Sequence, residues 1–276
     1  MTHLRKTATI LSIVATGLLL NSCINQNNDE LFEDASAELD RGKFENTIQE
    51  FNRLSEEYKS QREVKFATAK AHANKCGVNI NEFVNELNTS SETFFSISTR
   101  LQVGADDSRK AHCDEAQRLL LEIGGAKGRS NEENRLMLFT SFAKIGAYIN
   151  ASSDKNGDGL PDRSWQPCDS SELSQKDATE TTFSWGHALV SLQYLMLNGH
   201  DTGSARIEDL ERLCTLLPII DPSYDICFEY KNKELSRRQI LAMRCLFDGP
   251  DLGFAVDLPD LLSCIDHAGG NAMCGN

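Results

Sequence analysis

Between Asp29 and Tyr58 the apolar residues fall at Leu31, Ala35 and Leu39, then at Phe44, Ile48, Phe51, Leu54 and Tyr58, with polar side chains between them. Steps of three and four residues put each set on one side of a helix, so two amphipathic helices are expected. Arg41-Gly42-Lys43 separates them, and glycine suits the left-handed residue that closes a helix. Helices joined by so short a turn fold back antiparallel, each burying its stripe against the other. A third helix is expected over 63–75, carrying Val64, Phe66, Ala67, Ala69, Ala71 and Ala73, and the small Ala69 and Ala73 permit close approach of a neighbour. Cys76-Gly77 ends it, and "NINEFVNEL" opens a fourth.

The pattern continues to the end of the chain. "DDSRKAHCDEAQRLLLEIGG" sets Ala111, Ala116, Leu119, Leu120 and Ile123 on one side. Ser130 and Glu133 form a capping box, after which Leu138, Phe142, Ile145 and Ile149 make a buried stripe. "ATETTFSWGHALVSLQYLMLNGH", "SARIEDLERLCTLL", "SRRQILAMRCLF" and "LPDLLSCIDHAG" follow, with Pro218, Pro222, Pro250 and Pro259 near boundaries. Period-two alternation is hardly seen. The expected fold is all-α, stacked antiparallel helical hairpins in a solenoid or bundle, as one helical domain or as two halves divided near 126–130, the regions 30–126 and 127–276.

The N-terminus sets the address. Arg5 and Lys6 precede the apolar run Ala8 to Leu20, whose thirteen residues span about 20 Å, short of a hydrocarbon core of about 30 Å. Residues 1–22 therefore read as a signal peptide. Their ending, "LNSC", resembles a bacterial lipobox, with Leu20 three residues before Cys23 and Asn21 a less usual choice between. The resemblance implies cleavage before Cys23, a covalent lipid such as palmitate on that residue, and a short polar tether over 23–29. Ile24, where inner-membrane retention would call for Asp, implies the outer membrane, its periplasmic face foremost.

Removing Arg5 and Lys6 moves the formal charge from −13 to −15. Such an acidic body repels nucleic acid and anionic lipid surfaces. Besides Cys23 the chain holds Cys76, Cys113, Cys168, Cys214, Cys227, Cys245, Cys264 and Cys274. An even number in an exported, oxidising setting reads as disulfides, with connectivity open. His267 after Cys264 raises zinc as the competing use, but no CxxC spacing supports it.

From about Asn28 to Leu87 the pattern resembles tetratricopeptide repeats, helix–turn–helix units of about 34 residues. Gly42 and Phe44 occupy that family's turn glycine and following aromatic, Ala35 its small position, and Ile48, Phe51 and Leu54 its buried second-helix positions. Leu31 stands where the family has Trp, Thr47 where it has Ala, and no Pro closes the unit. The resemblance implies a surface that holds extended segments of other proteins.

Chemistry concentrates in "SSDKNGDGLPDRSWQPCD". It resembles calcium loops of the EF-hand, dockerin and thrombospondin type-3 kinds, whose oxygen ligands recur at positions 1, 3, 5 and 9. Here those are Asp154, Asn156, Asp158 and Asp162, with Gly159 at the sharp turn and the Leu160 carbonyl between. Trp165 replaces the EF-hand's closing Glu, leaving Asp169 or another acid to complete the shell. A structural calcium ion is expected; the competing reading is a solvated Asx/Gly turn.

No GxSxG, HExxH, P-loop or GxGxxG occurs. His72, His112, His187, His200 and His267 are scattered and read as packed or solvated, and His112 and Cys113, being adjacent, face different ways. No catalytic residues are assigned. The expectation is a lipid-anchored helical adaptor for an envelope protein partner, in assembly or beside a transporter. The alternative is a calcium-dependent module binding a small molecule or surface polymer.

Overall fold

The structure is a computed structural model that describes residues 28–90, 94–159, 162, 164–167, 169, 171–204, 218, 222, 227–229 and 234–248. Among them there are helices and no strands. The signal peptide, Cys23, most of the tether and the segments at 205–217 and 258–269 lie outside the described residues. The chain divides into two compact units, the first ending at Ala71 and the second beginning at His72. The helices on either side of 126–130 pack along each other.

In the first unit, α1 (28–40) already includes the last residues of the expected tether. Its stop is the expected one: Gly42 has φ +75°, and the N–H groups of Gly42 and Lys43 bond the carbonyls of Leu39 and Glu38. α2 (Phe44–Arg53) buries only Thr47, Ile48 and Phe51. The helix stops before Tyr58. Ser55 breaks the run and caps a short α3 (Glu56–Lys59), its hydroxyl accepting from the Tyr58 N–H. The core gathers Ala35, Phe51, Leu54 and Val64, with Phe32 stacked on Phe51 at 5.8 Å. Phe32 lies outside the stripe expected from spacing. Thr47 is fully buried, its hydroxyl donating to the Lys43 carbonyl, so the residue that departs from the repeat pattern occupies a core position.

α4 (Arg62–Lys75) contains the unit boundary. The second unit continues with α5 (Ile80–Thr89), α6 (Phe94–Arg100), α7 (Asp107–Ile123), α8 (Asn131–Ser153), α9 (Gln175–Leu197) and α10 (Arg237–Asp248). α8 starts with the expected capping box, both reciprocal bonds present. It is the centre of this unit: α6, α7 and α9 all pack on it, and α10 packs on α9. Every residue from Leu136 to Asn150 is buried.

Side-chain pairs give the directions. Asp114 meets Tyr148 while Gln117, further along α7, meets Ser141, so α7 and α8 run antiparallel. Phe142 meets Trp185 and Lys144 meets Glu180, which makes α9 antiparallel to α8 as well. Leu138, Phe142, Ile145 and Ile149 are fully buried as expected, and the Phe142 ring stacks on Phe83 and lies tilted against Trp185. On α7, Ala111 is exposed and the buried face holds Cys113 and Gln117 instead. α6 crosses α8 at Gly146, where an added Cβ would lie 2.3 Å from the Ser98 carbonyl oxygen.

Candidate functional site

The Asp-rich loop leaves the C-terminal end of α8 and is organised around its first residue. Asp154, only 7% exposed, accepts four hydrogen bonds. The N–H groups of Gly157 and Asp158 bond one oxygen; the Gly159 N–H and the Asn150 amide bond the other. Gly159 must be glycine twice over: its φ is +85°, and a Cβ would meet the Arg100 side chain at 3.0 Å. Asp162 faces back across the loop, accepting from the Lys155 N–H and donating its own N–H to the Ser153 carbonyl. Asn156 and Asp158 are exposed and bonded to each other.

A carboxylate has about four lone-pair sites, and Asp154 has engaged a donor at each. Its oxygens would have to exchange N–H partners for an ion. Among the described residues no three His, Cys, Asp or Glu side chains are grouped to hold a metal. Asp169 is engaged elsewhere: the backbone N–H and hydroxyl of Ser171 hold its carboxyl below the usual carboxylate range. Leu160 lies outside the described residues.

The loop's exit explains the missing closing carboxylate. Trp165 is 6% exposed and belongs to the main hydrophobic cluster, so the position closes the loop by burial rather than by charge. Arg244 of α10 pins the next turn by donating to the Pro167 carbonyl. Burial pulls the Arg244 guanidinium down, opposed by Asp169.

Inside the second unit runs a polar seam that spacing did not disclose. Lys144, in the middle of α8, pairs with Asp114 of α7 and Glu180 of α9, both at 2.8 Å, and with Gln117. Arg129, with no exposed side-chain area, binds Glu229, Ser191, Asn134 and the Gly124 carbonyl. Glu229 also accepts the Ala126 N–H, and so holds the α7–α8 turn. Between these cations lies His187, fully buried, with neither ring nitrogen hydrogen-bonded. Burial first, then Arg129 and Lys144, bring its pKa down to about 3.

Two histidines expected to be scattered come together. His72 on α4 and His112 on α7 face each other through their Nδ1 atoms at 2.9 Å. The Cys76–Cys113 disulfide lies beside them. Spacing held the clue, since His72 precedes Cys76 by one helical turn and His112 adjoins Cys113, but only the pairing makes it legible. Cys227 and Cys245 are also disulfide-bonded. Cys168, Cys214, Cys264 and Cys274 lie outside the described residues, as does His267; His200 is exposed just beyond α9.

The first unit carries an open cleft between α1 and α2, lined by Glu30, Asp34, Glu38 and Glu50 with Arg41 and Arg53. Among the described residues no helix is long and apolar enough to cross a membrane. No protein-family model, no curated protein and no solved structure matches the chain.

Proposed function

We propose that this chain is a lipid-anchored helical adaptor of the bacterial envelope, attached through Cys23 to the periplasmic face of the outer membrane and holding a segment of a partner protein. The observation that carries this reading is the open α1–α2 cleft. It is open and charged, with four carboxylates and two guanidinium groups along its walls. Such a surface suits an extended polar segment with basic side chains better than an enclosed apolar ligand. The tetratricopeptide resemblance supports the same use: the Gly42 turn and the buried Ala35, Ile48, Phe51 and Leu54 are compatible with a helical hairpin of the kind such repeats stack.

The test is co-purification of the tagged protein from detergent-solubilised envelopes. One stoichiometric partner is expected, and it should be lost when Asp34 and Glu50 are both changed to Lys. Retention of the partner by that variant, or no partner at all, removes the cleft from the argument. Cys23→Ala should release the exported protein from membranes; sedimentation with membranes would end the lipid assignment.

Within this reading the loop at 154–162 takes calcium as a structural ion through Asp154, Asn156, Asp158, the Leu160 carbonyl and Asp162. Hard oxygens of this kind suit calcium. Two variants separate the ion from the loop's own hydrogen bonds. Asp158→Asn should abolish calcium-induced stabilisation and change the chelator-treated protein little, because the amide oxygen can still accept from the Asn156 side chain. Asp154→Ala should cost about 1–3 kcal/mol even in chelator, since it orphans partly buried N–H groups. At a hundredfold excess over its dissociation constant the ion should add about 2.7 kcal/mol to the wild type. A flat calcium response in thermal unfolding would leave a hydrogen-bonded turn and nothing more.

A further inference from the structure

The meeting of His72 and His112 needs an account beyond packing. The two side chains come from helices well separated in sequence, both are half-buried, and their Nδ1 atoms are 2.9 Å apart with ring centroids at 5.0 Å. In the metal-free arrangement one Nδ1 carries a hydrogen and the other accepts it. The helices are tied at the same level: Cys76, one turn after His72, is bonded to Cys113, next to His112, with a Cα–Cα distance of 4.8 Å. The imidazoles are therefore held close by a covalent strut rather than by their own weak attraction.

That spacing has a chemical meaning. An imidazole nitrogen lies about 2.0–2.1 Å from a first-row divalent ion, so two such nitrogens at a right angle are about 2.9 Å apart, and at a tetrahedral angle about 3.3 Å. The observed separation is the right-angle value. Nitrogen and oxygen ligands at right angles are the tetragonal arrangement favoured by Cu(II) and Ni(II). The rings need only pivot about their broad terminal torsions for both lone pairs to converge beside the line joining the nitrogens. Glu115, one turn beyond His112, adds negative charge nearby, its carboxyl held below the usual range chiefly by the hydrogen bond from Arg118. The acidic chain as a whole favours arrival of a cation.

We propose that His72 and His112 form a two-imidazole clamp between α4 and α7 for a divalent transition-metal ion of tetragonal preference, Cu(II) or Ni(II). On entry the ion loses two of its waters and both Nδ1 atoms become ligands. The hydrogen that bridged them moves to Nε2 of its own ring, so both rings stay neutral and no charge is created. With only two protein ligands, water fills the remaining positions. This site is independent of the 154–162 loop, whose oxygens suit a hard cation.

The test uses the full-length protein in detergent, stripped of metal and titrated with Cu(II) chloride. Electron paramagnetic resonance should show one equivalent bound with hyperfine structure from two nitrogens. His72→Gln and His112→Gln should each weaken binding at least about tenfold, since even the loss of an outer-shell partner costs 10–100-fold; His200→Gln should leave it unchanged. A second measurement needs no variant: Cu(II) should protect His72 and His112 from carbethoxylation, mapped by mass spectrometry. No binding, a signal from fewer than two nitrogens, affinity unchanged in either variant, or protection falling on other histidines would each overturn the clamp.

Discussion

α2 and α8 show two ways of making a helix from one chain. α2 buries three of its residues, half-buries Phe44 and Glu50, and leaves the rest to water. α8 buries everything from Leu136 to Asn150, including Thr140, Ser141, Lys144 and Asn150. The first is held by an apolar stripe, and stripes are visible in sequence as periodicity. The second is enclosed by α6, α7 and α9, so its polar side chains are cut off from water, and the Thr140 hydroxyl finds no hydrogen-bond partner among the described residues. Lys144 finds Asp114, Glu180 and Gln117; Asn150 finds Thr99 and Asp154. Enclosure thus turns the second unit into a set of polar and steric obligations that the first does not have.

Glycine substitutions should give the sharpest contrast. Gly146→Ala pushes a Cβ to within 2.3 Å of the Ser98 carbonyl oxygen, which belongs to helix backbone and cannot swing aside. The expected loss is roughly 3 kcal/mol or more in urea unfolding. Gly42→Ala in the first unit meets only the Phe44 ring edge, at 3.9 Å. There the cost is the left-handed backbone alone, about 1–2 kcal/mol. Equal losses at the two sites would mean that the α6–α8 crossing relaxes freely, and the distinction between the units would fail.

His187 offers a weaker but more specific handle on enclosure. Its folded pKa of about 3 lies below the unfolded value of about 6.5. Between those values the unfolded chain binds the extra proton, so the stabilisation is complete above pH 6.5 and fades as pH falls toward 3. By pH 5 the loss should be on the order of 2 kcal/mol relative to pH 7.5. His187→Leu should remove that share of the pH dependence and leave stability at pH 7.5 equal or higher, because two unpaired buried nitrogens go with the ring. Parallel pH profiles for the two proteins would show that His187 titrates freely.

These contrasts also mark what was legible beforehand. The Gly42 stop, the Ser130–Glu133 box and the stripe from Leu138 to Ile149 are local signals, and they appear where expected. The unit boundary inside α4, the exposure of Ala111 and the role of Trp165 are long-range outcomes. Each depends on which helix lies opposite, and no spacing within one element records that. The Asp-rich loop falls between: its glycines and carboxylates are readable, but Asp154's commitment to four donors is a property of the folded turn. His72 and His112 became a pair only when Cys76 met Cys113.

The smallest expected effect returns to the first unit. Ser55 interrupts a run whose apolar spacing, through Leu54 and Tyr58, otherwise continues a helix. Its backbone N–H donates to the Asn28 side-chain oxygen, and its hydroxyl accepts from both the Asn28 amide and the Tyr58 N–H. The residue thus caps α3 and ties that turn to the start of α1. Ser55→Ala removes the cap and orphans the Asn28 amide, which is largely shielded. A loss of about 1 kcal/mol is expected, confined to the first unit, so amide exchange should quicken across 28–59 while α8 stays protected. Exchange quickening equally in α8 would mean that the two units unfold as one, and their separate stabilities would then have to be abandoned.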